Sequence, residues 1–358
     1  MAQPIAGRQP FVWGIVGTGA IAARFASDLG LLAEARLGAV HSRSADTARD
    51  FAARFGAGRA FDDLAAFLAD PALDAVYIAT PNHLHVPQAL AAIAAGKPVL
   101  IEKPIALASS DVEALAEASR RHGVFAMEAM WTRFLPAVAA ARQHVAAGGL
   151  GTIRRISAEL SYRREQDDSR FFDPALGGGA AFDLGVYGIS LALQLLGVPE
   201  RIEGERLAAA SGVDLRSTFR LHYPGAVAEL SCGFDLDGSN RFLIEGSAGA
   251  LRLEAPFLKA KRLTRYTPAA LASPLSAPRD AATLARRLLD RLPLPGRRQE
   301  QYDFPGSGLQ FQAQAAMAAI RAGARECETM PLAESAAVLR VIEAVGAGPQ
   351  AQNELRSR

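Results

Sequence analysis

The stretch "GIVGTGAIAARF", residues 14–25, joins a short apolar run to an alanine-rich segment through a G-x-G-x-x-A pattern made by Gly17, Gly19 and Ala22. Each small residue suits one task in a strand-to-helix turn that holds a dinucleotide. The first glycine permits the tight turn, the second lets the backbone approach a pyrophosphate, and the alanine lets the helix pack closely on the strand. A plain tight turn between a strand and a helix is the alternative.

The pattern that follows this turn predicts a parallel sheet. Up to about residue 147, short apolar runs alternate with longer alanine-rich amphipathic segments, which indicates βαβ units. The runs are "FVWGIV" (11–16), "LGAVHS" (37–42), "DAVYIAT" (74–80), "KPVLIE" (97–102) and "GVFAMEAM" (123–130). Because these runs are almost continuously apolar, we expect helices to cover both faces of the sheet.

From residue 148 onward the pattern changes to strands of period two. The stretch "TFRLHYPGAVAELSCGFD" (218–235) predicts a hairpin that turns at Pro224-Gly225, and "RFLIEGSAGALRLE" (241–254) predicts another. Such strands indicate an α+β domain with a large, mostly antiparallel open sheet, closed by helices over 309–323 and 331–345. The segment 267–305, rich in proline, alanine and arginine, is interpreted as an excursion from that sheet.

The sequence therefore predicts an α/β chain of two domains, because its 358 residues exceed what one hydrophobic core normally serves. We expect a Rossmann dinucleotide-binding domain over 1–130 and an α+β domain for substrate binding and dimerisation over 131–358. A homodimer would form through the open face of the antiparallel sheet, since the strands "FRLHY" and "AVAELSCGF" are expected to leave apolar residues on both faces.

Composition and charge narrow the class of partner. Half of the residues are apolar and the formal net charge is +2, so nothing favours a nucleic-acid partner. The dense basic cluster at 286–300 is interpreted as a solvated helix and loop. Cys232 and Cys327 suit a reducing compartment. Without a secretory signal or about 18 uninterrupted apolar residues, we expect a cytoplasmic protein with no membrane partner.

The residues after the second apolar run bear on which dinucleotide is bound. An acid at that place would accept the ribose hydroxyls of NAD, but the sequence has Ser42 and Arg43 there. A guanidinium can pair with a 2′-phosphate. We therefore expect NADP, with NAD as a possible second cofactor. An Arg43 that simply points to solvent is the alternative.

Two further motifs follow apolar strands, "TPNHLH" (80–85) and "EKP" (102–104). Ligands of open α/β sheets gather at the carboxyl ends of strands, where both motifs are expected to lie. Lys103 is the more informative residue, because a lysine at the end of a buried strand is costly unless it is used. A surface lysine before a loop is the alternative.

In "GGGAAFDLGVYGI" (177–189), Asp183 and Tyr187 stand four residues apart in an apolar run. On an α-helix this spacing places both side chains on one face, so both would point at the same object. The alternative is a glycine turn followed by a core helix, with an acid near its N-terminus and a half-buried aromatic ring.

Taken in order, "GIVGTGAIA", "TPNHLH", "EKP", "MEAMWTRFLP" and "GGGAAFDLGVYGI" resemble the glucose-fructose oxidoreductase and inositol dehydrogenase (Gfo/Idh/MocA) family. The likeness runs from about residue 11 to 345 and is strongest to the branch with dimeric dihydrodiol dehydrogenases and NADP-dependent D-xylose dehydrogenases. Many members carry histidine where Tyr187 stands, and this branch carries tyrosine. The segment 267–305 departs from the family pattern.

The resemblance implies roles for individual residues. Lys103 and Tyr187 would form the catalytic pair, with Asp183 in support. Gly17 and Gly19 would hold the pyrophosphate, and Arg43 would read the adenosine phosphate. The remaining cofactor contacts would come from Ala20, Ile21, Ser42, Thr80, Pro81, Asn82, His85, Glu102 and Lys103.

These residues predict an oxidoreductase that transfers hydride between the nicotinamide and an alcohol carbon. A phenol is a poor base at neutral pH, and a nearby ammonium favours its phenolate. Tyr187 would thus be the general base, or the acid in reduction, assisted by Lys103, and no metal is needed. Two alternatives stay open: a nucleotide-sensing regulator without turnover, and a reductase of a keto or anhydro sugar. His85 is a further candidate base, although a structural role suits it better.

The expected substrate is a small polyol, either an aldose oxidised at its anomeric carbon or a cyclic vicinal diol. Aromatic surface and hydrogen-bonding groups together suit a ring with several hydroxyls. The segments "MWTRF" and "SYRREQDDSRFFDP" supply them as Trp131, Arg133, Phe134, Tyr162 and Arg170, with Arg163 and Asp168 nearby. A solvated loop is the alternative for each charged residue.

Overall fold

The computed structural model describes residues 9–271 and 295–346. The basic residues Arg286, Arg287 and Arg291, and most of the 267–305 segment, therefore lie outside the described residues. The chain divides into two compact units. The first comprises residues 1–134, 175–177 and 304–340, and the second comprises 135–174, 178–303 and 341–358.

The first unit is built on a six-stranded parallel sheet of order β3-β2-β1-β4-β5-β6. Its strands are β1 Phe11–Val16, β2 Ala35–His41, β3 Arg59–Phe61, β4 Ala75–Ile78, β5 Val99–Glu102 and β6 Ala126–Ala129. Its helices include α1 Ala20–Leu29, α2 Ala45–Phe55, α3 Leu64–Leu68, α4 His85–Ala94 and α5 Ser109–His122. This is the predicted Rossmann-type sheet. The strand order reverses between β1 and β4, where such sheets bind ligands.

The apolar runs became central strands because both of their faces are buried, as all six residues of β1 are. Strand β3 was not predicted from the sequence. It has three residues at the sheet edge, none of them buried, so it carries no apolar signal.

The first unit also contains residues from late in the chain. The carboxylate of Asp28, 2% exposed at the end of α1, accepts the backbone N–H groups of Ser307 and Leu309, each at 2.9 Å. Leu309 opens the helix α9 Leu309–Arg321, and residues 332–340 of α10 Leu332–Gly346 belong to the same unit. The compact units thus differ from a division at residue 130, because distant residues complete the packing around α1.

The second unit is built on an eight-stranded sheet of order β14-β13-β12-β11-β7-β10-β9-β8. Its strands are β7 Ile153–Ser161, β8 Arg201–Ala208, β9 Asp214–Tyr223, β10 Ala226–Gly233, β11 Phe242–Gly246, β12 Gly249–Leu253, β13 Arg262–Tyr266 and β14 Arg297–Gln301. Its helices are α6 Pro136–Ala146, α7 Val186–Leu196 and α8 Pro268–Leu271 in the part of the chain that the structure describes. All neighbours pair antiparallel except β7 and β10, so the mostly antiparallel sheet is confirmed.

Both predicted hairpins are confirmed. Tyr223 pairs with Ala226 around Pro224-Gly225, and Gly225 has a φ of 74°, which favours glycine. Gly246 pairs with Gly249 around residues 247–248.

The two faces of this sheet differ in polarity. Phe219, Leu221, Ala228 and Leu230 are buried on the face that packs against α7, where Leu230 and Ala158 approach Gly188. The opposite face carries Thr218, Arg220, His222, Glu229 and Ser231, and Arg220 lies 3.6 Å from Glu229. Val227, which pairs with His222, is the apolar residue of these two strands on that face, so the outer face is mainly polar.

One segment, Pro174–Leu196, is long and apolar enough to cross a membrane by length and composition. However, 72% of its most apolar window is buried inside the structure, which is typical of a core helix.

Candidate active site

The turn after β1 contacts the end of β4. Gly17 has a φ of 103°, and a Cβ atom there would lie 2.7 Å from the carbonyl oxygen of Ala79 and 2.9 Å from its carbon. The N–H of Gly17 donates to the carbonyl of His41 at 2.9 Å. Only glycine fits this position, because both the conformation and the backbone of Ala79 exclude a side chain.

Gly19 precedes α1 and meets a different requirement. No side chain caps the helix, and a Cβ atom at Gly19 would have nothing within 4 Å. The first turn, which begins with Ala20 and Ile21, contains no acidic residue. Free N–H groups at a helix N-terminus attract anions. The open space in front of α1 therefore fits a phosphate-bearing cofactor approached by backbone alone.

The end of β2 presents an arginine to solvent. Ser44 caps α2 by accepting the N–H of Thr47 at 3.3 Å, and Ser42 Oγ accepts the N–H of Ser44 at 3.5 Å. Arg43 between them is exposed and has no ion pair in residues 9–271 and 295–346. Its guanidinium is thus available to a phosphate.

The residues after β4 are held by hydrogen bonds to helix α4 and to a later loop. Thr80 Oγ1 donates to Gln88 at 2.7 Å, and buried Asn82 donates to the carbonyl of Gly177 at 3.2 Å. Pro81 is exposed. These contacts place Thr80, Pro81 and Asn82 at the carboxyl end of β4, as predicted.

His85 is 1% exposed, and both of its ring nitrogens face backbone carbonyls. Nδ1 lies 2.9 Å from the oxygen of Pro104, and Nε2 lies 2.9 Å from the oxygen of Thr80. Burial lowers the pKa of His85 and outweighs the two carbonyls, which favour the imidazolium. A buried ring whose two nitrogens both face backbone carbonyls is poorly placed to act as a general base.

Lys103 follows β5 at the same edge of the sheet and is half-buried. The carboxyl group of Glu102 beside it is buried, accepts the hydroxyl of Tyr77, and accepts the N–H of Lys103 at 3.2 Å. Burial raises the pKa of Glu102 to about 7, against the Tyr77 hydrogen bond and the Lys103 ammonium. The Glu102 carboxyl group is therefore hydrogen-bonded to Tyr77 and to the backbone of Lys103.

The predicted substrate segment after β6 is mostly interior. Trp131 is 6% exposed and Phe134 is half-buried. Arg133, at 1% exposed, donates to the carbonyl of Thr329 at 3.0 Å and pairs with Glu334 at 2.5 Å. The Arg133 guanidinium is thus paired inside the first unit, which favours a structural role over contact with a substrate.

In the second unit, a glycine turn leads into the helix with Asp183 and Tyr187. Gly179 has a φ of 117° and lies against the carboxylate of Asp214. Asp214 accepts the N–H of Ala181 at 2.8 Å and the hydroxyl of Ser217 at 2.7 Å. Burial raises the pKa of Asp214 despite these bonds. A side chain from β9 thus caps the start of the helix.

The helix differs from the regular α-helix that the sequence predicts. Residues Ala181–Gly185 form a π turn before α7, and a Cβ atom at Gly185 would lie 3.0 Å from the Sγ of Cys232. The wider turn accompanies this close approach to β10. Asp183 lies within the π turn, and Tyr187, 5% exposed, lies in the first turn of α7. Such turns occur frequently at functional sites.

Sequence reasoning missed Arg164 as a partner of Asp183. Its guanidinium lies 3.8 Å from the Asp183 carboxylate and 3.8 Å from the centroid of the Phe171 ring. Arg170 lies 4.4 Å from the same centroid, and Tyr162 is half-buried nearby in the chain. The sequence has adjacent arginines at 163 and 164 and gives no signal to choose between them. In the structure, Arg163 is exposed.

The predicted catalytic residues belong to both units. Lys103 is in the first unit, and Asp183 and Tyr187 are in the second.

Comparison with protein families gives two adjacent matches. Residues 11–130 match a model described as an oxidoreductase family with an NAD-binding Rossmann fold. Residues 138–252 match the GFO/IDH/MocA C-terminal domain.

Similar curated proteins are dehydrogenases. The chain is 30% identical over 339 residues to a trans-1,2-dihydrobenzene-1,2-diol dehydrogenase of Bos taurus, covering 93% of this chain and 95% of that one. It is 40% identical over 223 residues to the scyllo-inositol 2-dehydrogenase (NADP(+)) IolU of Bacillus subtilis, covering 60% and 67% of the two chains.

Solved structures share the fold at lower identity. An aldose-aldose oxidoreductase from Caulobacter crescentus complexed with glycerol has a TM-score of 0.79 at 23% identity, covering 94% of this chain and 96% of that one. KijD10, a 3-ketoreductase from Actinomadura kijaniata in complex with NADP and TDP-benzene, has a TM-score of 0.77 at 23% identity, covering 95% and 98%.

Proposed function

The chain belongs to the GFO/IDH/MocA family of oxidoreductases, and on that basis we propose that it transfers hydride between NADP and the carbinol carbon of a sugar or cyclic diol. Activity with NAD(P) on sugar or diol substrates follows from the family and its relatives. The preference for NADP and the roles of individual residues are the further steps of the proposal.

The observation that carries the proposal is the arrangement at the carboxyl edge of the parallel sheet. Gly17 is pressed against Ala79 at the point where the strand order reverses, and Lys103 follows a strand at the same edge. A dinucleotide bound along this edge would bring its nicotinamide toward the end of β5.

We assign the proton transfer to Tyr187. Oxidation of an alcohol requires the hydroxyl proton to leave as hydride departs from the carbon, and bound NADP supplies the hydride acceptor. The Tyr187 phenolate takes the hydroxyl proton, and the Lys103 ammonium stabilises that phenolate. Asp183, held beside Arg164, orients a substrate hydroxyl or the lysine. In the direction of reduction, the Tyr187 phenol returns the proton.

Preference for NADP rests on Arg43. Its exposed guanidinium follows β2, where the adenosine ribose of a bound dinucleotide lies in folds of this kind. IolU is named for its use of NADP(+), which supports the assignment.

For the substrate we propose a ring with several hydroxyl groups. Arg164 and Arg170 supply donors beside the Phe171 ring, and Tyr162, Phe134 and Trp131 are the further aromatic candidates. The names of the relatives, an inositol dehydrogenase and a dihydrodiol dehydrogenase, support a cyclic polyol.

We also propose that the protein is a homodimer. The outer face of the second unit's sheet carries charges of both signs: Arg155 lies 2.6 Å and Arg220 lies 3.6 Å from the carboxylate of Glu229. A face that carries charges of both signs can pair with the same face of a second copy related by a twofold axis. Light scattering at micromolar concentration is expected to give twice the chain mass, and a monomer mass would refute the dimer.

The experiment that tests the function is a fluorescence-monitored panel of aldoses, inositols and dihydrodiols with NADP and with NAD. Tyr187→Phe and Lys103→Met are each expected to lower kcat on the order of a hundredfold, with cofactor affinity unchanged for the tyrosine variant. Tyr223→Phe is the matched control, because Tyr223 is a buried tyrosine of β9. Near-normal turnover in Tyr187→Phe would overturn the assignment.

A further inference from the structure

The buried side chains of Glu102, His85 and Glu128 contact the backbone of residues 103–105. Glu102 Oε2 accepts the N–H of Lys103 at 3.2 Å, His85 Nδ1 lies 2.9 Å from the carbonyl oxygen of Pro104, and Glu128 Oε1 accepts the N–H of Ile105 at 3.0 Å. The three residues come from three elements, β5, α4 and β6. Three consecutive residues of one turn are thus each fixed by a different side chain.

These three side chains are themselves immobilised. Glu102, His85 and Glu128 are 5%, 1% and 2% exposed, and each is packed within the first unit. Glu102 also accepts the hydroxyl of fully buried Tyr77, and His85 also faces the carbonyl oxygen of Thr80. A buried carboxyl group or imidazole must be hydrogen-bonded to be tolerated. Each of the three side chains has one such partner in the backbone of residues 103–105.

We propose that His85 and Glu128 are positioning residues that, together with Glu102, hold the turn Lys103–Pro104–Ile105 and so fix the direction of the Lys103 side chain. The inference rests on the proposed role of Lys103. It reassigns His85 from the expected cofactor contacts to the support of the lysine.

The charge of the support agrees with this role. Burial raises the pKa of Glu128, while Ser335, the Ile105 N–H, Arg133 and Lys103 act in the opposite direction. The two acids lie on neighbouring strands, with Ile101 paired to Glu128 and Glu102 paired to Ala129. The Lys103 ammonium opposes the rise in the pKa of both acids, so the lysine lies within electrostatic range of both carboxyl groups.

The first test compares Glu128→Ala with Glu128→Gln, because the amide oxygen of glutamine can still accept the Ile105 N–H. In Glu128→Ala we expect hydrogen exchange at the Ile105 amide to accelerate at least tenfold and kcat to fall on the order of tenfold to a hundredfold, with the Kd for NADP within about twofold. Glu128→Gln should restore both values to within a few fold of the unmodified protein.

The matched control is Asp28→Ala, which removes another buried carboxylate that accepts backbone N–H groups in the same unit. It should lower the unfolding free energy comparably while leaving kcat and Ile105 exchange unchanged. His85→Leu should likewise lower kcat and leave the Kd for NADP within about twofold. The double variant with Glu128→Ala should lose less than the product of the single losses, since both side chains hold one turn.

The outcomes separate the two proposals. If Lys103→Met retains full turnover, the function proposed for the lysine fails, while accelerated Ile105 exchange in Glu128→Ala would still establish the hold on the turn. If Lys103→Met is inactive but Glu128→Ala shows normal kcat and normal Ile105 exchange, the positioning role is overturned.

Discussion

The α-carbon of Gly17 faces the carbonyl of Ala79 so closely that a single added methyl group would lie 2.7 Å from its oxygen, whereas the same group at Gly19 would meet open space. The two glycines of one motif therefore differ in what their surroundings require. The fold itself needs glycine at position 17, whereas for Gly19 we propose a role in the approach of the cofactor.

This difference predicts opposite behaviour for two alanine variants. Gly17→Ala should lower the unfolding free energy by about 1–3 kcal/mol, because a positive φ and a backbone clash both oppose it. Gly19→Ala should leave stability unchanged within about 0.5 kcal/mol and weaken NADP binding at least tenfold. Chemical denaturation and a fluorescence titration measure the two effects, and unchanged NADP affinity in Gly19→Ala would contradict the role of that glycine.

Replacing Arg43 should narrow the discrimination between cofactors. A charge-assisted hydrogen bond to phosphate contributes roughly 1.5–3 kcal/mol. Arg43→Ala is therefore expected to weaken NADP binding by about tenfold to a hundredfold and to leave NAD binding nearly unchanged. Arg49→Ala, an exposed arginine of α2 that pairs with Asp46, is the control. Equal affinity of the unmodified protein for NADP and NAD would remove the assignment of Arg43.

Arg164 should matter more than its neighbour Arg163. Arg164→Ala removes the ion pair with Asp183 and the stacking on Phe171, so we expect a several-fold to tenfold fall in kcat/KM for the polyol. Arg163→Ala should be near neutral, because that side chain is exposed. Steady-state kinetics with a polyol identified in the panel would decide, and equal effects of both variants would argue against a specific role for Arg164.

The pKa of Glu102 makes stability depend on pH in a defined direction. As pH rises from 4.5, the unfolded chain releases this proton, while the folded chain keeps it until about pH 7. The folded state binds more protons in that window, so the unfolding free energy should fall by up to about 1.4 kcal/mol per pH unit and level off above pH 7. The raised pKa of Glu128 contributes in the same direction.

Glu102→Gln should remove much of that slope, and Glu117→Gln should not, because Glu117 is an exposed residue of α5. Denaturation curves at pH 5 and pH 8 suffice for the comparison. An unmodified protein that is equally stable at both values would contradict the raised pKa.

Features that depend on neighbouring residues in the sequence were the ones that could be predicted. The turn at Gly17, the position of Lys103 at a strand end and both hairpins follow from local patterns of small, apolar and turn residues. The burial of Arg133 could not be predicted, since its partner Glu334 lies two hundred residues later in the chain. The choice of Arg164 over Arg163, and the π turn against Cys232, likewise depend on which strands become neighbours.

The late residues of the first unit constrain the order in which the chain can fold during synthesis. The backbone amide of Ala126, in edge strand β6, donates to the carbonyl of Arg325. The Asp28 carboxylate accepts the backbone N–H groups of Ser307 and Leu309. After β6 has been synthesised, nearly two hundred more residues must be added before Arg325 can accept the Ala126 amide. At the usual rate of synthesis this takes on the order of ten seconds or longer. Over that interval the nascent parallel sheet has an unfinished edge and a carboxylate without its native donors, so chaperone contact should concentrate there.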